Sequence, residues 1–191
     1  MRNLVIDGHD VANDLLVFAQ DLVRIQSYSG QEEQAARFMA AKMTELGFDE
    51  VKIDRYGNVL GRVGSGEQVI LFDSHIDTVA VMDADMWDVP PFSGEIVDGY
   101  LWGRGSVDMK SGAASSIYAA ALAKSQGLLS GKTVYVSCTV DEEYCDGEGL
   151  KHLLDENHIQ PDFAVICEPS GNLPPRRTTR LVSVCVCCNV A

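Results

Sequence analysis

Hydrophobic residues recur at helical spacing between residues 10 and 26, at Val11, Leu15, Leu16, Phe18, Leu22, Val23 and Ile25, and predict a first helix. A second helix is predicted to run through Leu46, opened by Ser29-Gly-Gln-Glu32, which has the form of a capping box, and closed by Gly47. The period then shortens to two. EVKID and NVLGRV alternate as half-buried strands around Tyr56-Gly57-Asn58, Gly64-Ser65-Gly66 makes a turn, and Val69 to Phe72 is a continuous apolar run of the buried-strand type. Asp98-Gly99 between GEIV and YLWG predicts a two-residue hairpin, whose turn needs positive φ at both central residues. A glycine-rich loop, GRGSVDMKSG, leads into an alanine-rich helix from about Ser111 to Gln126. Strand TVYVSCT, an acidic loop, a short helix around GLKHLLDEN and strand FAVIC follow. Strands alternating with helices imply an α/β fold, a mixed and mostly parallel sheet with helices on both faces.

Of the 191 residues, 46% are apolar and 23% charged, as in an ordinary globular domain. A chain of this length buries about 70% of its unfolded surface, so it needs neither disulfides nor a structural metal to fold. A metal would then serve chemistry. The 28 Asp and Glu against 15 Lys and Arg leave a formal net charge of -13, which excludes nucleic acid and anionic lipid as natural partners. Asp7, Asp10 and Asp14 interrupt the one N-terminal apolar stretch, and no apolar run reaches the roughly 18 residues of a membrane span, so a soluble cytoplasmic protein is expected. Cys138, Cys145 and Cys167 are scattered and Cys185, Cys187 and Cys188 crowd the C-terminus, which is not a disulfide framework. Cys138 and Cys167 read as small buried hydrophobes.

Three of the strands run into potential ligands. VILFDSH ends at His75, with Asp77 two residues on; TVYVSCTV runs into Asp141-Glu142-Glu143; FAVIC runs into Glu168. The carboxyl ends of strands form the ligand crevice of an open α/β sheet, so these groups are expected to converge. Asp108 lies in the glycine-rich loop at a helix start, where backbone can approach closely and a carboxylate is electrostatically favoured. Asp108, Glu143 and Glu168 in one crevice repel one another unless cations bind there, and one histidine with several carboxylates suits zinc. A carboxylate can bridge two metals, and of the adjacent Glu142 and Glu143 one can bind metal while the other faces water. Taken singly, His75 could be a hydrogen-bonded core histidine, residues 141–148 a solvated acidic loop and Asp108 a helix cap; what sets them apart is their shared edge. Competing motifs fail. A P-loop needs Gly where Met109 stands, a dinucleotide fingerprint needs Gly where Asp108 stands, DEEYCDGEG lacks calcium-loop spacing, and there is no G-x-S-x-G elbow. Trp87 and Trp102 read as packing residues.

SHIDTV (74–79), GRGSVDMKSG (103–112), TVDEEYCDGEG (139–149) and ICEPS (166–170) resemble, in order and separation, the motifs of the zinc-dependent aminoacylase and carboxypeptidase family. Acetylornithine deacetylase, succinyl-diaminopimelate desuccinylase and carboxypeptidase G belong to that family. GFDEVKIDRYGNVLG, DSHIDTV and IQPDFAVICEPS are similar to its selenium-metabolism hydrolase branch. The resemblance, over residues 10 to 172, implies an incomplete zinc-peptidase catalytic domain. It implies a metal-dependent hydrolase cleaving amide bonds of small N-acyl amino acids or short peptides. It also implies Zn2+, two per intact site, with cobalt or manganese acceptable to the same ligands. Residue by residue, it implies that His75 and Glu168 bind one zinc, Glu143 binds the other and Asp108 bridges them. Asp77 would orient His75, and Glu142 would be the general base that deprotonates the attacking water and passes the proton to the leaving amine. A cis peptide at Asp108-Met109 and, for full-length members, a homodimer are implied as well.

The chain also departs from the family pattern. Members are longer, with a lid and dimerisation domain inserted after the ICEPS region and a return that supplies further histidines; His9, His152 and His158 match no such motif. Residues 1–172 are therefore expected to be the N-terminal part of the catalytic domain. Residues 173–191 form an atypical tail carrying Arg176, Arg177 and Arg180, with no acid after Glu168, as a frameshifted or truncated reading frame would give. Cys185, Cys187 and Cys188 lack the paired spacing of a thiolate zinc site. The alternative function is a truncated non-catalytic remnant that retains a single metal site from His75, Asp108 and Glu168. For the family the hydrolase is favoured, and for this chain impaired or absent catalysis.

Overall fold

Strands rich in β-branched residues assemble into one six-stranded sheet in the computed structural model, which describes residues 5–6, 9–169 and 181–183, with side chains for 10–169. The strands are β1 (Glu50–Ile53), β2 (Val59–Gly64), β3 (Gln68–His75), β4 (Lys132–Thr139), β5 (Phe163–Ile166) and β6 (Leu181–Ser183). Their order across the sheet is β6-β5-β3-β4-β2-β1. The first four in that order are parallel, and β2 and β1 join antiparallel, which is the mixed, mostly parallel sheet read from the sequence. Register places His75 beside Thr139 and Asp73 beside Ile166, so β3, β4 and β5 end at one edge. Ser170, the boundary at residues 172–173, Arg176, Arg177, Arg180, Cys185, Cys187 and Cys188 lie outside the described residues.

Helices cover both faces. On one side α1 (Val11–Arg24), α2 (Glu33–Glu45) and α3 (Ser111–Ser125) pack on Val59, Val63, Val134, Val136 and Cys138. On the other, beyond the short α4 (Glu142–Cys145), α5 (Glu148–Asn157) sets Leu153 against Leu60, Ile159 and Tyr135. Strand β4 serves both layers because successive side chains alternate between faces. The alanine-rich α3 is buried at Ala113, Ala114, Ile117, Tyr118, Ala120 and Ala121, and its small side chains let it lie against its neighbours. Cys138 and Cys167 are buried, as their apolar runs imply.

Local expectations hold at two turns and fail at a third. Gly47 takes φ +76 and its amide bonds Thr44 O while Phe48 N bonds Met43 O, the Schellman closure of α2. Asp98 and Gly99 both have positive φ between the paired residues Ile96–Val97 and Tyr100–Leu101. The capping box does not form. Helix α2 starts at Glu33, the Ser29 hydroxyl donates to Asp77 Oδ2 at 2.6 Å, and the Glu32 carboxylate reaches Gly30 N. A carboxylate from another segment is a stronger acceptor for Ser29 than anything α2 offers.

Lys110 is wholly buried, and its ammonium donates to Leu22 O at 3.1 Å and Ile25 O at 2.6 Å. These carbonyls lie at the C-terminal end of α1, where intrahelical donors run out and a cation is favoured. Burial lowers the Lys110 pKa to about 8. The contact fastens the loop carrying Asp108 to α1. Replacing it, Lys110→Met, keeps most of the volume but leaves both carbonyls without this donor, and is expected to cost about 1–3 kcal/mol in urea unfolding. A loss below about 0.5 kcal/mol would show that the ammonium contributes nothing beyond its volume.

Lys124 on α3 donates to Gly47 O at 2.6 Å and Asp49 Oδ1 at 2.5 Å, while Asp49 Oδ2 accepts from Gly64 N at 2.8 Å. The Lys124 hydrogen bond holds the Asp49 carboxyl below its ordinary 3.8. The unfolded chain then binds this proton more readily, so the stabilisation is fully present above pH 3.8 and is lost as the pH falls through the folded-state value. The pair is more than one-third exposed at both ends and is worth at most about 1 kcal/mol. The melting temperature of Asp49→Asn is expected to lie below the parent's at pH 7 and to converge with it in acid; a gap constant across that range would refute the linkage.

Candidate metal centre

The site is built on the common edge of β3, β4 and β5. His75, the last residue of β3, is 2% exposed, and its Nδ1 lies 3.0 Å from the Asp77 main-chain oxygen. A carbonyl can only accept, so Nδ1 carries a hydrogen, and Nε2 faces outward. It lies 2.9 Å from Asp108 Oδ1 and 3.5 Å from Glu168 Oε1. Asp108 arrives on the glycine-rich turn before α3, where the Asp108-Met109 peptide is cis. Glu168 follows β5, whose ladder continues through Cys167 N to Asp73 O. Beyond β4, Asp141 has φ +58 and starts the turn into α4, which carries Glu142 and Glu143.

All the expected ligands therefore meet. Ligand atoms of His75, Asp108 and Glu143 lie within 4.8 Å of one another, and so do those of His75, Glu142 and Glu168. Asp77 lies wholly buried beside them. Its carboxylate accepts from Glu142 N and Glu143 N at 3.1 Å each and from the Ser29 hydroxyl, and lies 3.4 Å from His75 Nδ1. Its contact with the imidazole thus runs chiefly through its carbonyl, while its carboxylate holds the Glu142–Glu143 turn.

The electrostatics follow from crowding. Burial pushes the Glu168 carboxyl up to about 7; His75 opposes the rise, and Asp108, Glu142 and Glu143 reinforce it. Glu142 is raised by burial and by its acidic neighbours, against the pull of His75. For His75 burial disfavours the charged ring, but hydrogen bonds to Asp108 and Asp77 and the charge of Glu168 outweigh it and hold the pKa up at about 11. Asp73 is raised to about 6 by burial, opposed by the Ser137 hydroxyl at 2.5 Å. Asp77 goes the other way, because its hydrogen bonds from His75, Ser29 and two amides overcome its burial. The cluster therefore attracts positive charge at its centre, and a donor set of one imidazole and several carboxylates fits zinc, cobalt or manganese.

Four contributors escape a reading of spacing. Ser29 and Glu32 resemble a local cap but serve Asp77 and, through Glu32 Oε1, Asp141 N at 3.1 Å. Asn58 accepts from Val140 N at 2.9 Å and braces the start of the acidic turn, and Lys110 anchors the Asp108 loop. Their partners lie 82 to 109 residues away, except for Ser29 at 48, and no motif records such pairings. Trp87 packs beneath the Arg104 guanidinium, 5.3 Å from the ring centroid, whereas Trp102 is 37% exposed, more open than a packing role implies.

Among the described residues no helix is long and apolar enough to cross a membrane. The chain is 38% identical over 161 residues to the uncharacterized protein YgeY of Escherichia coli (strain K12), a match covering 84% of this chain and 40% of that one. It is 35% identical over 175 residues to a succinyl-diaminopimelate desuccinylase of Cereibacter sphaeroides, covering 90% of this chain and 46% of the relative. Among solved structures it matches the Bacillus subtilis YXEP protein, described as a dinuclear metal binding peptidase from the M20 family. That match has a TM-score of 0.62 at 18% identity and covers 86% of this chain and 44% of the other; it shows the fold alone. The chain spans less than half the length of these relatives. Residues 71–182, more than half of the chain, match the model of peptidase family M20/M25/M40, and together with the α/β sheet and its converging ligands this places the chain in that family.

Proposed function

We propose that this chain carries part of the catalytic domain, up to about residue 172, of a metal-dependent hydrolase that cleaves amide bonds of small N-acyl amino acids or short peptides. The observation that carries the reading is the pair of overlapping ligand groups, His75–Asp108–Glu143 and His75–Glu142–Glu168, on one sheet edge. The desuccinylase name of one relative and the dinuclear peptidase description of one structural neighbour support it.

His75 and Glu168 would hold one zinc, Glu143 the other, with Asp108 between them. When bound, the metals act as Lewis acids that polarise the scissile carbonyl and make water acidic enough to attack near neutral pH. The chain's own residues do the rest. The Asp77 carbonyl fixes the His75 tautomer so that Nε2 is the donor atom. Glu142, held by Asp77 through its amide, takes a proton from the attacking water and delivers it to the amine nitrogen as the C–N bond breaks, leaving a carboxylic acid and a free amine. A second reading, a non-catalytic chain with a single metal, is favoured by one observation: both ligand groups share the same imidazole.

The zinc-loaded chain is expected to release amine from N-acetyl and N-succinyl amino acids at an impaired rate, one that a chelator abolishes and added zinc restores. Glu142→Gln is expected to keep the parent's metal content and to lose about 100-fold or more in rate. Turnover that survives in Glu142→Gln, or in chelator, would overturn the mechanism; zinc bound without turnover would assign the chain the second reading.

A further inference from the structure

Three consecutive amides open the turn that carries Glu142 and Glu143, and all three are accepted by carboxylates from elsewhere in the chain. Asp141 N bonds Glu32 Oε1 at 3.1 Å, and Glu142 N and Glu143 N bond the two oxygens of Asp77 at 3.1 Å each. Glu32 is 6% exposed, lies just before α2, and uses the same Oε1 to accept from Gly30 N at 2.9 Å. Ser29, from the same segment, donates to Asp77 Oδ2. The segment 29–32 therefore grips the turn twice, directly through Glu32 and indirectly through Ser29 and Asp77.

Resting on the metal-site reading above, we propose that Glu32 is a positioning residue, which sets the left-handed Asp141 and hence the aim of the Glu142 and Glu143 carboxylates by acting as a hydrogen-bond acceptor. Ligand atoms of Glu32, Asp77 and Asp141 also lie within 4.8 Å of one another, the arrangement a cation could use. Four of their six oxygens are already engaged: Glu32 Oε1 by two amides, both Asp77 oxygens by amides and the Ser29 hydroxyl, and Asp141 Oδ2 by the Cys145 thiol at 3.2 Å. Glu32 thus acts through geometry. Because one oxygen makes both of its bonds, a glutamine carbonyl can replace it, whereas a metal ligand would need the charge.

Glu32→Ala and Glu32→Gln separate these roles in the full chain by two readouts. The first is amide hydrogen exchange at Asp141, Glu142 and Glu143 without metal; the second is cobalt(II) affinity, followed by the visible spectrum of the bound ion. Glu32→Ala is expected to speed exchange at Asp141 by about tenfold or more and to weaken cobalt(II) binding by about 10- to 100-fold, as lost supporting contacts do at metal sites. Glu32→Gln is expected to stay within about threefold of the parent in both. An alanine variant indistinguishable from the parent, or a glutamine variant as damaged as alanine, would overturn the proposal. If the alanine chain fails to fold by circular dichroism, the glutamine variant alone decides. If the parent takes up no cobalt(II), the metal-site reading fails, while the exchange arm still decides the role of Glu32.

Discussion

Like charges forced together at one sheet edge are the constraint around which this structure is organised. Asp77, Asp108, Glu142, Glu143 and Glu168 gather about a single imidazole, and a fold has no reason to concentrate carboxylates in this way unless something positive offsets their repulsion. Asp77, which is inside the protein, is satisfied by amides, a hydroxyl and the imidazole and stays readily ionised. Glu168 lacks those donors, and burial, reinforced by the neighbouring acids, raises its proton affinity against the pull of His75. This contrast separates one acid held by hydrogen bonds from the others proposed as metal ligands, and it follows from hydrogen-bond supply more than from burial.

The end of α1 and its connection to α2 carry none of the proposed ligands, yet they touch three of the four ligand-bearing segments, those of His75, Asp108 and the Glu142–Glu143 turn. Leu22 and Ile25 accept from Lys110, beside Asp108; the Ser27 hydroxyl donates to Ile76 O, beside His75; Thr78 N returns a bond to Ser27 O; Ser29 and Glu32 reach Asp77 and Asp141. Parallel strands deliver the ligands to one edge, but a sheet edge alone does not set distances between loops that leave it. One segment bonded to three of those loops does, and its side chains are buried where they make those bonds, as at Ser27 and Glu32. Preorganisation of this kind lets weakly held surface acids act together on one ion.

Much of this was legible in the order of residues. Val69 to Phe72 and the Val134-Val136-Cys138 alternation announce buried strands, and His75, Glu143 and Glu168 are conspicuous because each closely follows such a strand. Gly47 and Asp98-Gly99 are legible because only a few residue types tolerate their backbone. Ser29 and Glu32 misled, since their spacing has a strong local meaning and the structure spends both side chains on tertiary contacts. Asn58 and Lys110 gave no warning: a buried amide and a buried ammonium look, in sequence, like any surface residue of a turn or loop. What patterning encodes is which face is dry; what it omits is which distant carbonyl or amide a polar side chain will meet.

The central claim, that these carboxylates converge in order to hold metal, is tested most directly by an anomalous difference map from zinc-soaked crystals collected at the zinc edge. Peaks are expected against His75 Nε2 and within reach of the Asp108, Glu143 and Glu168 carboxylates. A map without a peak at His75, with zinc only on surface carboxylates elsewhere, would contradict it.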